Sequence, residues 1–212
     1  MSIDAARVAD AVAVGASVPM PGESAAGTTR WQVERWDQEQ TGWAARRLGL
    51  VAPGARQLVG ADFRALRVAP YLATEVVGNL ITNAGWTRLM NLLTNQGATQ
   101  ALDATHARVG VGNGTTPAEA YADTDLAASA GSSNRWFQLV SSAGTLGTRT
   151  LTFSATFGTS DGNFSWNEFG IDFGTASGNT VTAPLLNHKV GIAQGSKVSG
   201  QTWTATATLT FS

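Results

Sequence analysis

Five of the fifteen carboxylates, Asp123, Asp125, Asp161, Glu168 and Asp172, and the two histidines, His106 and His188, are the first candidates of this chain for chemistry. Oxygen donors of this kind could in principle assemble a calcium site, but their spacing matches no EF-hand loop. The histidines lie in separate segments with no nearby sequence cluster of metal ligands, so each reads as a half-buried or solvent-facing strand residue. The run GVGNGTT could cradle a phosphate, yet it lacks the lysine and helix context of a P-loop and the glycine spacing of a dinucleotide loop. It reads as a β-turn. Serines are plentiful, but there is no GxSxG elbow. Paired carboxylates for glycoside hydrolysis can meet only after folding, and no segment nominates a pair. Asn113-Gly114-Thr115 and Asn163-Phe164-Ser165 match the glycosylation pattern by chance on this reading, which finds no secretion signal. The chemistry-bearing residues thus nominate no catalytic, cofactor-binding or metal-binding set.

Glu168 stands out because of its setting, NFSWNEFGIDF, Asn163 to Phe173. Phe164 and Trp166 share one face of a regular strand with Glu168, whereas Phe169, Ile171 and Phe173 occupy the other. A bulge or a second buried face is therefore expected near Asn167 and Glu168. A carboxylate among aromatic rings needs a partner. Lys189 or His188 is expected to supply it in a pair that fixes two adjacent strands. Phe164, Trp166, Glu168, Phe169, Ile171 and Lys189 are accordingly the candidate packing junction.

The elements that would position these groups are mostly strands. Trp203, Ala205, Ala207, Leu209 and Phe211 alternate with Thr202, Thr204, Thr206, Thr208 and Thr210, giving a core face and a threonine ladder. Thr148 to Phe157 repeats the design. His106 to Gly112 alternates Ala107, Val109 and Val111 with Arg108, Gly110 and Gly112, a bare second face that admits another backbone or an aromatic ring. Arg135 to Ser141, Asn163 to Phe173 and Leu185 to Ile192 are further strand candidates. TNAGWTRLMNLLTNQG reads as a helix, with Thr82 or Asn83 as cap, a stripe of Trp86, Leu89, Met90 and Leu93, and Gly97 closing the last turn. Trp31, Val33 and Trp36, then Asp37 to Gly42, then Trp43, read as strand, polar turn, strand. Trp31, Trp36 and Trp43, with Arg46 and Arg47, form the candidate interface. Deleting residues 1–45 is expected to leave a folded β-domain.

The chain divides on this reading into an arm over 1–30, flexible or ordered by a partner, with a possible short helix over Ile3 to Val14; a Trp/Arg-rich strand-turn-strand and connection over 31–78; and a helix plus β-sandwich domain over 79–212. A chain of 212 residues hides roughly 70% of its extended surface on folding, enough for an autonomous core. With no cysteine, disulfides and thiolate metal sites are excluded. A net charge of -1 offers no general attraction for nucleic acid, and no apolar run approaches the length that spans a bilayer. Seven arginines between Arg30 and Arg67 face Glu34, Asp37, Glu39 and Asp62, which points to an acid-paired or interface surface.

The order of ARVGVGNGTTPAEAYADTDL, ATFGTSDGNFSWNEFGIDFG, PLLNHKV and KVSGQTWTATATLTFS resembles the carboxy-terminal β-region of tailed-bacteriophage virion proteins, described as tail, fibre-associated or minor structural proteins. GNLITNAGWTRLMNLL resembles the stretch just upstream, so the likeness covers roughly residues 75–212. It implies a structural module of the virion without enzymatic activity or cofactor, and contacts with copies of itself and with other tail or capsid proteins. The expected fold is mainly β, an antiparallel β-sandwich or jelly-roll-like domain with one amphipathic helix and an amino-terminal extension. A capsid decoration protein and a carbohydrate-binding receptor module remain the alternatives.

Overall fold

The computed structural model describes residues 28–97, 101–141, 145–181 and 184–211. The expected arm falls almost wholly on residues 1–27, outside that set. The described residues are mainly β, in two antiparallel five-stranded sheets. The first sheet has the order β2 (Leu72–Val77), β1 (Thr28–Trp36), β10 (Thr202–Thr210), β7 (Thr150–Phe157), β6 (Thr145–Gly147). The second has the order β3 (Leu80–Ile81), β9 (Asn187–Val190), β8 (Glu168–Asp172), β4 (Arg108–Gly112), β5 (Arg135–Leu139). Their apolar faces share one core. Trp31, Val33, Phe153, Ala155, Trp203 and Ala207 enter it from the first sheet, and Val109, Val111, Phe169 and Ile171 from the second.

The alternation of β7 and β10 explains the first sheet. Their small and aromatic residues point inward, and their hydroxyls pair on the outer face: Ser154 with Thr206 at 3.0 Å, Thr156 with Thr204 at 3.1 Å, Thr152 with Thr208 at 3.2 Å. The expected solvated ladder is covered at one end. Gly60 N–H donates to Thr156 Oγ1 (3.2 Å), bringing α2 (Gly60–Ala65) down on the hydroxyls.

Two expectations fail in the region before Gly78. β1 is interior to the first sheet, in register with β10 from Thr28↔Thr210 to Trp36↔Thr202, so deleting residues 1–45 would remove a core strand. The stretch after Asp37 is also not a turn and strand but α1 (Gln38–Arg47). Asp37 Oδ1 accepts from Gln40 N–H (2.8 Å) while Gln40 Oε1 accepts from Asp37 N–H (3.1 Å), a capping box that starts a helix. Trp36 lies on the outer face and stacks on Phe63 (4.3 Å between centroids) in a second core with Ala44 and Leu58.

α3 (Asn83–Thr94) is capped by Thr82, whose Oγ1 accepts from Gly85 N–H (2.9 Å), and is closed by Asn95 at φ 51° rather than by Gly97. Only part of its stripe is covered. Gly85 lies against the Leu186 backbone and Leu89 against the core, while Met90 and Leu93 face solvent.

Candidate functional site

β8 is buried on both faces. Phe169 and Ile171 fill the shared core, so Glu168, Gly170 and Asp172 point to the opposite side of the sheet. The phase change resolves as a break in the strand. Ser165 makes only an isolated bridge to Ser196, Asn167 N–H donates to Gly112 O (2.8 Å), and regular pairing begins at Glu168. Phe164 and Trp166 reach the same core as Phe169 and Ile171, and Trp166 meets Phe157 edge-on at 4.7 Å. They do not serve a separate contact surface, because the chain turns between the two sets.

The bare face of β4 is what admits Glu168. Gly112 is opposite Glu168, and a Cβ there would overlap the carboxylate; Gly110 is opposite Gly170, and a Cβ there would lie 2.6 Å from the Phe137 ring. Glu168 Oε1 accepts from the N–H groups of Ala128 (2.8 Å) and Gly114 (3.1 Å). Oε2 accepts from Ala127 N–H (2.7 Å) and meets His188 Nε2 at 2.9 Å. The other ring nitrogen, Nδ1, is 2.6 Å from Asp123 Oδ2, which also accepts from Ala120 N–H (2.8 Å). Glu168 and His188 are buried, and Asp123 is at the rim.

An imidazole between two carboxylates needs both N–H groups, and hence its positive charge, to satisfy both sides. Burial alone would push the His188 pKa down; the hydrogen bonds and charges of Glu168 and Asp123 outweigh it and hold the pKa above its ordinary value. Lys189 does not join Glu168. Its Nζ lies 2.6 Å from Glu119 Oε1, and Glu119 Oε2 accepts from Val190 N–H (3.2 Å). Burial would raise the Glu119 pKa, but the hydrogen bonds from Lys189 and from the N–H groups of Glu119 itself and Val190 lower it on balance. The connection from Asn113 to Ala128 is therefore clasped to β8 and β9 through Glu168, His188 and Lys189.

The same face holds two further ion pairs. Arg108 makes a two-pronged pair with Asp172, with Nε at 2.8 Å, and donates from Nη1 to Ala176 O (2.8 Å). Arg135 pairs with Asp125 at 2.7 Å. Asp161 accepts from Gly158 N–H (3.3 Å), and Lys197 Nζ donates to Gly158 O (2.6 Å) and to Asn163 Oδ1 (2.8 Å). Of the five carboxylates considered for calcium, Asp123 and Glu168 thus meet on His188, while Asp125, Asp161 and Asp172 are held by separate partners; among the described residues no group of three or more such side chains is placed to hold a metal ion. His106 sits before β4 with Nδ1 at 2.8 Å from Asp103. Both nitrogens of His188 and both oxygens of Glu168 are engaged within the protein, so the arrangement can hold a connection in place in a proton-dependent way.

The candidate interface separates in two. Trp31 and Trp36 are each 0% exposed, which removes them as docking anchors, because their rings already fill cores of their own chain. Trp43 is 44% exposed on α1, and Arg46 and Arg47 in its last turn are also exposed. Asp123 and Glu119 were missed as members of the clasp; they sit in an irregular connection where periodicity carries no signal. Among the described residues, no helix is long and apolar enough to cross a membrane. No family model, curated protein or solved structure matches this chain.

Proposed function

We propose that this chain is a structural subunit of a tailed-phage virion, in a tail or tail-associated position, built as a jelly-roll-like β-sandwich and assembled through repeated protein–protein contacts. The observation that carries the reading is where the resembling segments fall. ARVGVGNGTTPAEAYADTDL supplies β4 and Asp123, WNEFGI supplies Glu168, and PLLNHKV supplies His188, so segments far apart in sequence meet in one buried clasp. A set of residues spent on holding a connection suits a module whose task is to keep its shape under load. Apolar side chains left exposed at Trp43, Leu48 and Val51, at Tyr71, Leu72 and Val77, and at Met90 and Leu93 provide several places for contact.

Particles purified from a producing host, analysed by mass spectrometry and by electron microscopy with this subunit labelled, test the reading. Stoichiometric presence with label at the tail supports it; label over the head lattice would favour a decoration protein, and absence from particles would refute both. The carbohydrate-binding reading is weaker, since it calls for exposed tryptophans on a sheet or loop, and Trp31, Trp36, Trp166 and Trp203 are buried while exposed Trp43 is on a helix.

A further inference from the structure

Sheet edges are where β proteins recruit other chains, because an unpaired row of N–H and C=O groups is a template for one more strand. Among the described residues, the first sheet ends in β2, six residues long, and in β6, three residues long. The second ends in β3, two residues long, and in β5, whose outer side is met by Gly178 through Phe137 N–H (2.7 Å). Among the described residues, β2 is the long open edge. It carries one charge, Glu75, no proline, and exposed apolar side chains at Leu72 (43%) and Val77 (56%), with Tyr71 (48%) just before it.

The backbone directions follow from the register. Gly78 N–H donates to Thr29 O (2.9 Å), and Val76 and Thr74 lie opposite Trp31 and Val33. The alternation of an antiparallel pair then turns the N–H and C=O of Leu72, Thr74 and Val76 toward β1, and those of Ala73, Glu75 and Val77 toward the open side. The same alternation puts Leu72, Thr74 and Val76 on the core face.

We propose that β2 pairs antiparallel with β2 of a second copy about a two-fold axis at Thr74, joining the first sheets of two subunits. Such an axis, perpendicular to the sheet, preserves its faces, so it must pass through a residue and not between two. Centred on Glu75, it sets two carboxylates directly opposite each other, which is destabilising. Centred on Ala73, it sets Leu72 against the partner's Thr74 and Tyr71 against the partner's Glu75, so the exposed apolar side chains gain polar neighbours. Centred on Thr74, it sets Leu72 against the partner's Val76 and Tyr71 against the partner's Val77, so each exposed apolar side chain gains an apolar neighbour; the Tyr71 N–H, which donates to Arg35 O (2.9 Å), adds no backbone bond across the seam. Ala73 then faces the partner's Glu75, with both backbones directed outward to bond. The two Glu75 side chains sit diagonally, each already held by its own Arg30 at 3.2 Å. The pairing does not rest on the virion assignment, since a chain can dimerise in solution without entering a particle.

The absence of cysteine makes the test clean. Thr74 would face its own copy in a non-hydrogen-bonded pair with Cα atoms about 4.5 Å apart, within disulfide range. Full-length T74C under mild oxidation should form a disulfide-linked dimer, while L93C, on an exposed helix residue, should remain largely uncrosslinked. Sedimentation equilibrium of the wild-type chain should show a dimer at concentrations up to about 100 µM, and A73P, which removes an outward N–H, should weaken it about tenfold or more. The T74C readout does not require A73P to fold. A wild-type chain that stays monomeric throughout this range overturns the proposal. So does a dimer that leaves T74C uncrosslinked, whatever A73P does. Particle incorporation without this dimer would leave the assembly reading standing and remove only the edge pairing.

Discussion

Replacing Glu168 with alanine tests the clasp at its most connected point. The buried carboxylate accepts from three backbone N–H groups, at Ala128, which is buried, and at Gly114 and Ala127, which are half-buried, and it meets buried His188. Removing it leaves three donors without an acceptor and strips the imidazole of one of its two carboxylates. An orphaned buried donor costs about 1–3 kcal/mol, and breaking a buried ion pair about 3–5 kcal/mol. These costs overlap, because the connection can lift and let water reach the same groups. The expected net loss is therefore about 3–5 kcal/mol, which for a chain of this size lowers Tm by roughly 6–20 °C. Urea unfolding followed by tryptophan fluorescence reads the loss, and amide exchange at residues 114, 127 and 128 locates it. E168Q should fall between wild type and E168A, since one amide oxygen replaces two acceptors. A loss below about 1 kcal/mol, or unchanged exchange at those three amides, would show that the connection is held by its other contacts and refute the reasoning.

The imidazolium sets a pH dependence of defined sign. Because the folded pKa of His188 is raised, its stabilisation is complete below the unfolded value of 6.5 and is lost as pH rises through the raised value; the wild-type urea midpoint should fall over that window, and H188Q should lack this component. Lys197 acts in the opposite direction. Burial, opposed by Asp161, lowers its pKa from 10.5 to about 8, so the folded state binds the proton less well than the unfolded chain and stability rises across that interval; the difference in midpoint between wild type and K197M should show this slope. Gly85 lies so close to the Leu186 carbonyl that G85A must displace α3; an overpacking loss of about 1–3 kcal/mol is expected in thermal unfolding. L93A, on the exposed flank of the same helix, should stay within about 0.5 kcal/mol of wild type. Equal effects of the two substitutions would contradict the way α3 is seated.

Much of the second half was legible because its signals are local. The Thr/apolar alternation of β10 states which face is core, and the glycines at 110 and 112 announce a face that something must approach. Thr82 and Gly85 mark the start of α3 through groups a few residues apart. The start of α1 was equally local, since Asp37 and Gln40 carry the capping-box pattern, but the three tryptophans around it suggested strands.

By itself, then, the sequence determined periodicity: which segments can present an apolar face, where helices can be capped, and that Glu168 interrupts an aromatic set and must have a partner. Only the tertiary structure decided who the partners are. Glu168 is given to His188 and three distant amides, Lys189 to Glu119, and the rings of Trp31 and Trp36 to two cores of the same chain. The physical reason is range. Backbone and capping preferences act over a few residues, whereas the burial that forces a charge to find its counter-charge is created by sheets whose strands lie far apart in sequence.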